Sequence, residues 1–211
     1  MLHRIVLLAG LLASLPCAAA TKGAAKDAAQ APAKEVAFVN PGFEQAPQGK
    51  NIPGWRKSKH AGENVFEFDV VDDVAAKGKR SFRLRRTGEQ IYGALDQTIP
   101  AAALLAKAVE VTLQVRSKDL GAKGFYPFLN LTLRNGGLAG EQVRGETITG
   151  TLDKWKTIKM KIDVPYGVQG LQLGLLLDDE GTVWVDDVTL RVVGEAANPG
   201  KKDGAKLFLI H

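Results

Sequence analysis

Apolar and polar residues alternate with period two along much of the chain. In VEVTLQVR, Val109, Val111, Leu113 and Val115 fall opposite Glu110, Thr112, Gln114 and Arg116. SFRLR sets Phe82 and Leu84 against Arg83 and Arg85, and FLNLTLR sets Leu129, Leu131 and Leu133 against Asn130, Thr132 and Arg134. TIKMKIDV places Ile158, Met160, Ile162 and Val164 on one side, and LQLGLLL does the same with Leu171, Leu173, Leu175 and Leu177. Successive side chains of a strand leave on opposite faces, so each run predicts a strand with one buried face. Turn sequences separate the runs: NPG, IPG, KGK, RTGE, RNGG and DDEGT. The only helical candidate, PAAALLAKAVE, is short and lacks a polar cap. Many strands joined by Gly-rich turns, with no interleaved helices, predict an all-β fold: a two-sheet antiparallel β-sandwich of jelly-roll type.

The pattern stops at both ends. Residues 1–20 read as a secretory signal peptide: a basic start at His3 and Arg4, an apolar run from Ile5 to Leu15, and a small-residue end with cleavage near Ala20. The apolar run is too short to span a bilayer. Cys17 at this boundary raises the alternative of a lipoprotein, which Pro16 directly before it disfavours. Residues 21–35 are an Ala/Lys-rich linker that cannot build a core. The jelly roll is expected over residues 36–193, and residues 194–211 as a flexible basic tail. This layout predicts export, to the periplasm or the extracellular space.

The 211 residues are 45% hydrophobic and 24% charged, ordinary values for one globular domain. Cys17 is the only cysteine, so cleavage after Ala20 leaves no disulfide. The net charge of +5 is mild, and lysines of the linker and tail contribute much of it. No nucleic-acid partner or transmembrane segment is expected. Past the leader the histidines are His60 and His211, in no triad or metal-ligand spacing. There is no nucleophile elbow and no phosphate-binding loop. The acid neighbours Asp72/Asp73 and Asp178/Asp179/Glu180 read as solvated turn residues. No enzymatic activity is expected.

VWVDDVTL, residues 183–190, sets Asp186 and Asp187 inside an apolar β-branched strand, where a buried carboxylate needs compensation. NPGFEQ, residues 40–45, brings Glu44 to the start of the fold. If the first and last strands lie side by side, Glu44 and one aspartate could share an ion of the oxygen-seeking kind, such as calcium.

Taken in order, VNPGFEQ…IPGW, KGKRSFRLR, LDQTIPA, DKWKTIKM and VWVDDVTL resemble the successive motifs of the carbohydrate-binding modules of families four, nine and twenty-two, which are galactose-binding-like jelly rolls. The resemblance spans nearly all of residues 36–193. It implies a structural calcium held by Glu44, by carbonyls around residues 77–80, and by Asp186 or Asp187. It makes Trp55, Trp155 and Trp184 mainly framework residues. It also implies a ligand on a concave sheet, taken by aromatic faces together with polar side chains. The candidates are Tyr92, Gln114, Arg116, Asn130, Arg134 and Gln172, with Tyr126 and Phe128 nearby. The arginines favour an acidic glycan.

The expected function is therefore an exported, non-catalytic module binding a poly- or oligosaccharide. The alternative is a structural or adhesion domain of the cell envelope with a protein partner and no sugar ligand. A small polysaccharide hydrolase or lyase comes third, because no Tyr, His and Arg constellation is assembled.

Overall fold

The structure is a computed structural model and describes residues 36–60 and 65–202. The expected signal peptide and linker, residues 61–64 and residues 203–211 lie outside the described residues. The elements are β1 (Arg56–Lys59), β2 (Phe66–Val71), β3 (Ser81–Arg86), β4 (Gly93–Pro100), β5 (Lys107–Thr132), β6 (Val143–Arg144), β7 (Ile148–Val164), β8 (Gly170–Leu177) and β9 (Thr182–Glu195). All pairings between them are antiparallel.

Two of the alternating runs, VEVTLQVR and FLNLTLR, belong to one strand, the 26-residue β5. From Lys107 to Lys118 it pairs with β9, and from Phe125 to Thr132 with β8. The intervening stretch bends through two left-handed residues, Asp119 (φ 54°) and Gly124 (φ 60°), opposite Gly181 at the β8–β9 corner (φ 102°). The hydrogen-bonded ladder β1-β4-β8-β5-β9-β3-β2 is therefore continuous yet folds into two layers. The first layer is β1-β4-β8 with the C-terminal half of β5 and β6. The second is β2-β3-β9 with the N-terminal half of β5 and β7. This is the jelly-roll sandwich expected from the sequence.

The alternation decides what lies between the layers. Leu95, Leu129, Leu171, Leu173 and Leu175 of the first layer and Phe82, Leu84, Val109, Val111 and Val185 of the second are fully buried in one core. Each contributes about 1.5–3 kcal/mol relative to an exposed position. An aromatic stack closes one end: Phe38 on Trp55 (6.3 Å between centroids), Trp55 on Phe43 (5.2 Å), and Phe43 on Phe82 (5.4 Å). Gln97 points inward and pairs with Val39 as a strand would, accepting from its N–H at 2.6 Å and donating to its carbonyl at 3.0 Å.

Two boundaries differ from the expectation. PAAALLAKAVE forms no helix: residues 102–106 make a turn, with Ala106 left-handed (φ 61°), and the rest enters β5. The alanines favour a helix only weakly, and inward-facing Val109 draws the segment into the sheet. Strand β9 continues to Glu195, and the next residues stay attached through Ala196 N–H to the Ala106 carbonyl (2.9 Å) and Tyr166 N–H to the Pro199 carbonyl (2.8 Å). The expected tail is therefore hydrogen-bonded to the sandwich as far as residue 199.

Candidate functional site

The outer face of the first layer carries a transverse row of polar side chains. Thr98, Gln172 and Asn130 are register partners on β4, β8 and β5, and Asp96 stands one step along β4 opposite Arg56. Arg56 donates to Asp96 Oδ1 through Nε (3.1 Å) and Nη2 (2.8 Å), and Gln172 Nε2 donates to the same oxygen at 3.1 Å. Asn130 Nδ2 donates to Gln172 Oε1 at 3.0 Å, and Gln142 Nε2 donates to Asn130 Oδ1 at 3.3 Å. Asp96 and Asn130 are buried at 4% and 7% exposure, although they face outward. Burial with satisfied partners makes the row a pre-positioned unit rather than a set of solvated side chains. The Arg56 side chain is 73% exposed, so its Asp96-held guanidinium is presented to solvent.

Aromatic residues border the row. Phe128 lies across Gly174: a Cβ at that position would meet three atoms of its ring closer than any real contact. The Arg144 guanidinium covers the Tyr126 ring, 3.3 Å from its centroid. Beside Arg56 and Asp96 a cleft of about 540 Å³ opens, lined also by Asn51, Trp55 and Thr98. Its size is that of a small-ligand site, and its walls offer both hydrogen-bonding groups and an aromatic edge.

Of the six side chains expected on one surface, Asn130 and Gln172 meet in this row. Tyr92 lies just before β4, its ring edge-on to His60 at 6.0 Å, and Arg134 is exposed in the turn after β5. Gln114 and Arg116 sit on the outer face of the other layer, Gln114 hydrogen-bonded to Thr157 at 2.9 Å. The single surface is not formed because β5 changes layers between residues 118 and 125, so its polar positions before and after the corner face opposite sides. Asp96, Arg56, Gln142 and Arg144 were not anticipated. Asp96 could have been suspected from its parity against Leu95 in LDQTIP, but its partners depend on strand pairings that no local pattern reveals.

The carboxylates of the end motifs grip one loop, residues 76–80. Asp186 is fully buried, and its Oδ2 accepts the N–H groups of Ala76 (2.8 Å) and Lys77 (2.9 Å) while Oδ1 accepts that of Asp187 (2.6 Å). Glu44 Oε1 accepts the N–H groups of Lys79 (2.8 Å) and Arg80 (3.0 Å). These amides hold the Glu44 carboxyl below its usual range, whereas burial pushes that of Asp186 up despite its three amide donors. The two acids border one space: a side chain begun at Gly42 would come within 3.7 Å of Asp186 Oδ1 and 3.9 Å of Glu44 Cγ. Asp187 is left-handed (φ 47°), and its Oδ1 lies 3.3 Å from the Lys77 ammonium. Main-chain contact completes the junction, Val188 N–H donating to the Pro41 carbonyl at 3.0 Å.

Calcium can be tested against this donor set. Among the described residues no three His, Cys, Asp or Glu side chains gather as metal ligands. An ion here would take carboxylate oxygens from Glu44 and Asp186 and the rest of its shell from carbonyls or water, which calcium accepts. Each carboxylate oxygen keeps acceptor capacity beyond its amide bonds, and among the described residues no side-chain cation is paired with Asp186. Glu44 and Asp186 are therefore oxygen donors of the kind calcium accepts, whereas Asp187 is already paired with Lys77.

No family model and no curated protein matches the chain. Solved structures do match in fold. The enzymatically active domain of tailspike protein 4 from bacteriophage CBA120 aligns with 15% identity over 75% of this chain and 22% of that one, at a TM-score of 0.58. This chain thus spans about a fifth of that structure. The CBM22-1 xylan-binding domain of Xyn10C from Paenibacillus barcinonensis aligns with 18% identity over 77% of this chain and 97% of that one, at 0.53. Family 16 carbohydrate-binding module-2 aligns with 16% identity over 73% of this chain and 98% of that one, at 0.54. At these identities the likeness establishes a shared jelly-roll fold.

Proposed function

We propose that the chain is an exported, non-catalytic carbohydrate-binding module that takes a poly- or oligosaccharide on the outer face of its first layer. The observation that carries this reading is the hydrogen-bonded row Arg56–Asp96–Gln172–Asn130–Gln142 beside the Phe128 ring and the adjoining cleft. Sugars present hydroxyls that both donate and accept. A fixed row offering guanidinium, amide and carboxylate groups matches them without rearrangement, which keeps the entropic cost of binding low. The fold shared with isolated carbohydrate-binding modules over nearly their whole length supports the same reading. The export signal lies in the leader sequence.

Affinity electrophoresis against neutral polysaccharides, with the full chain, tests this. Asn130→Ala removes the donor to Gln172 and the acceptor for Gln142, and is expected to weaken binding about tenfold. Retention by no polysaccharide would overturn the proposal.

The calcium ion belongs to the same proposal, as a structural element that joins the ends of the domain and takes no part in sugar contact. Calcium is expected to raise the melting temperature and a chelator to lower it, through linkage to the native state. Glu44→Gln keeps an acceptor for the amides of Lys79 and Arg80 but loses the charge. It should abolish most of the calcium response while melting near the chelated wild type. A wild type indifferent to chelator would remove calcium from the account.

A further inference from the structure

The outer face of the second layer, on the far side of the sandwich, carries a different chemistry. Asp69, Arg83, Trp184 and Arg116 are register partners across β2, β3, β9 and β5. The Arg116 guanidinium stands over the Trp184 ring, 6.0 Å from its centroid. Arg83 is satisfied on one side only: Nη2 reaches Asp69 at 2.7 Å, but Nε is sealed from solvent with no acceptor. The indole Nε1 of Trp184 is in the same condition. Buried donors without acceptors are uncommon, but both atoms lie beneath the surface, so a ligand on this face would meet the exposed cations around them.

Three acids of this face pair with its own cations: Glu67 with Arg85, Asp69 with Arg83, and Glu110 with Lys161. Arg116, Lys118, Lys159 and Arg191 have no carboxylate partner among the described residues. Register places Lys118 beside Thr182, one step along β5 from Arg116 and Trp184. Lys159 and Arg191 lie further along, opposite Thr112 and Glu110. Arg116 and Lys118 thus stand about 6.6–6.8 Å apart along β5, and Lys159 and Arg191 extend the unpaired cations along the same outer face.

We propose that this face is a second binding surface, specific for an acidic polysaccharide. Arg116 takes a uronate carboxylate through its planar fork, held in orientation by the Trp184 ring beneath it. Lys118, Lys159 and Arg191 engage further carboxylates along the polymer. An extended, repeatedly charged chain can meet cations spread along a sheet face, whereas a compact anion would meet only one of them. The site stands apart from the row on the first layer, so the module can hold two glycan chains at once, one on each side.

The test uses the full chain, polygalacturonate as the acidic probe and a neutral polysaccharide in parallel. Wild type is expected to bind polygalacturonate with an affinity that falls as salt rises. Arg116→Gln, at a half-buried surface position, should weaken that binding about tenfold, and Lys159→Gln should weaken it less. Both should leave any neutral-glycan binding and the melting temperature unchanged, while Asn130→Ala should leave polygalacturonate binding unchanged. Failure of the first-layer reading would thus appear as loss of neutral binding alone. Absence of polygalacturonate binding at low salt, or equal binding by Arg116→Gln, would overturn this proposal. So would duplex DNA bound as tightly as polygalacturonate and released by the same substitution, which would mark a surface with no selectivity for sugar acids.

Discussion

Replacing Asp186 with alanine is expected to destabilise the domain by about 1–3 kcal/mol, a large effect for a truncation outside the apolar core. The carboxylate is fully buried and accepts the N–H groups of Ala76, Lys77 and Asp187. Alanine deprives three amides of this acceptor and removes the contact that holds residues 76–80 against β9. Asparagine at this position would fare better than alanine but not well, because its side-chain amide nitrogen would face an amide donor. Denaturant unfolding of Asp186→Ala and Asp186→Asn measures both. A loss under about 1 kcal/mol for the alanine variant would mean that the loop finds other partners. The adjacent Asp187→Asn change, which keeps a residue suited to the left-handed backbone, removes only the half-exposed pair with Lys77 and should cost less than about 1 kcal/mol.

The second large effect is expected at Gly174, where fold and site meet. This glycine is in the middle of β8 with Asp96 as its register partner on β4 and Phe128 as its partner on β5. Its backbone is extended, so conformation does not require glycine there; the Phe128 ring does, because it lies over the position a Cβ would fill. Gly174→Ala must push the ring aside. Overpacking of this kind costs about 1–3 kcal/mol. The displaced ring also leaves its place beside Asn130 and Gln172, so affinity for the first-layer glycan should fall several-fold. A thermal melt and a binding isotherm on the same sample read both effects. Unchanged affinity in a destabilised variant would show that the ring serves packing only.

Much of the sandwich was legible in the period-two pattern, because burial on one face leaves its signature in each strand separately. The inward positions of β5, β7 and β8 are the ones that the alternation marked, Leu113, Ile158 and Leu173 among them. What the pattern cannot show is where a strand changes layers. VEVTLQVR and FLNLTLR look like two strands of one surface, yet the left-handed residues Asp119 and Gly124 turn one continuous strand through a corner. Asn130 and Arg116 therefore part company, and the expected surface becomes two. The role of Asp96 was hidden for a related reason. A buried acid on an outward face is meaningful only through Arg56 and Gln172, which lie 40 and 76 residues away in sequence. The end motifs were read more closely: Glu44 and Asp186 do converge on one loop, though the partners in view are amide hydrogens. Of the two aspartates, Asp186 holds the same loop as Glu44 through its amide bonds, whereas the left-handed Asp187 meets the Lys77 ammonium, a difference of backbone geometry rather than composition.

The central claim, that the first-layer row binds sugar, is tested most directly by titrating neutral oligosaccharides into the full chain and into Arg56→Gln, whose side chain is 73% exposed. The account predicts saturable binding to at least one neutral oligosaccharide by the wild type, weakened about tenfold in Arg56→Gln at a temperature where both proteins remain folded. Equal binding by both proteins, or no binding by the wild type, would contradict it.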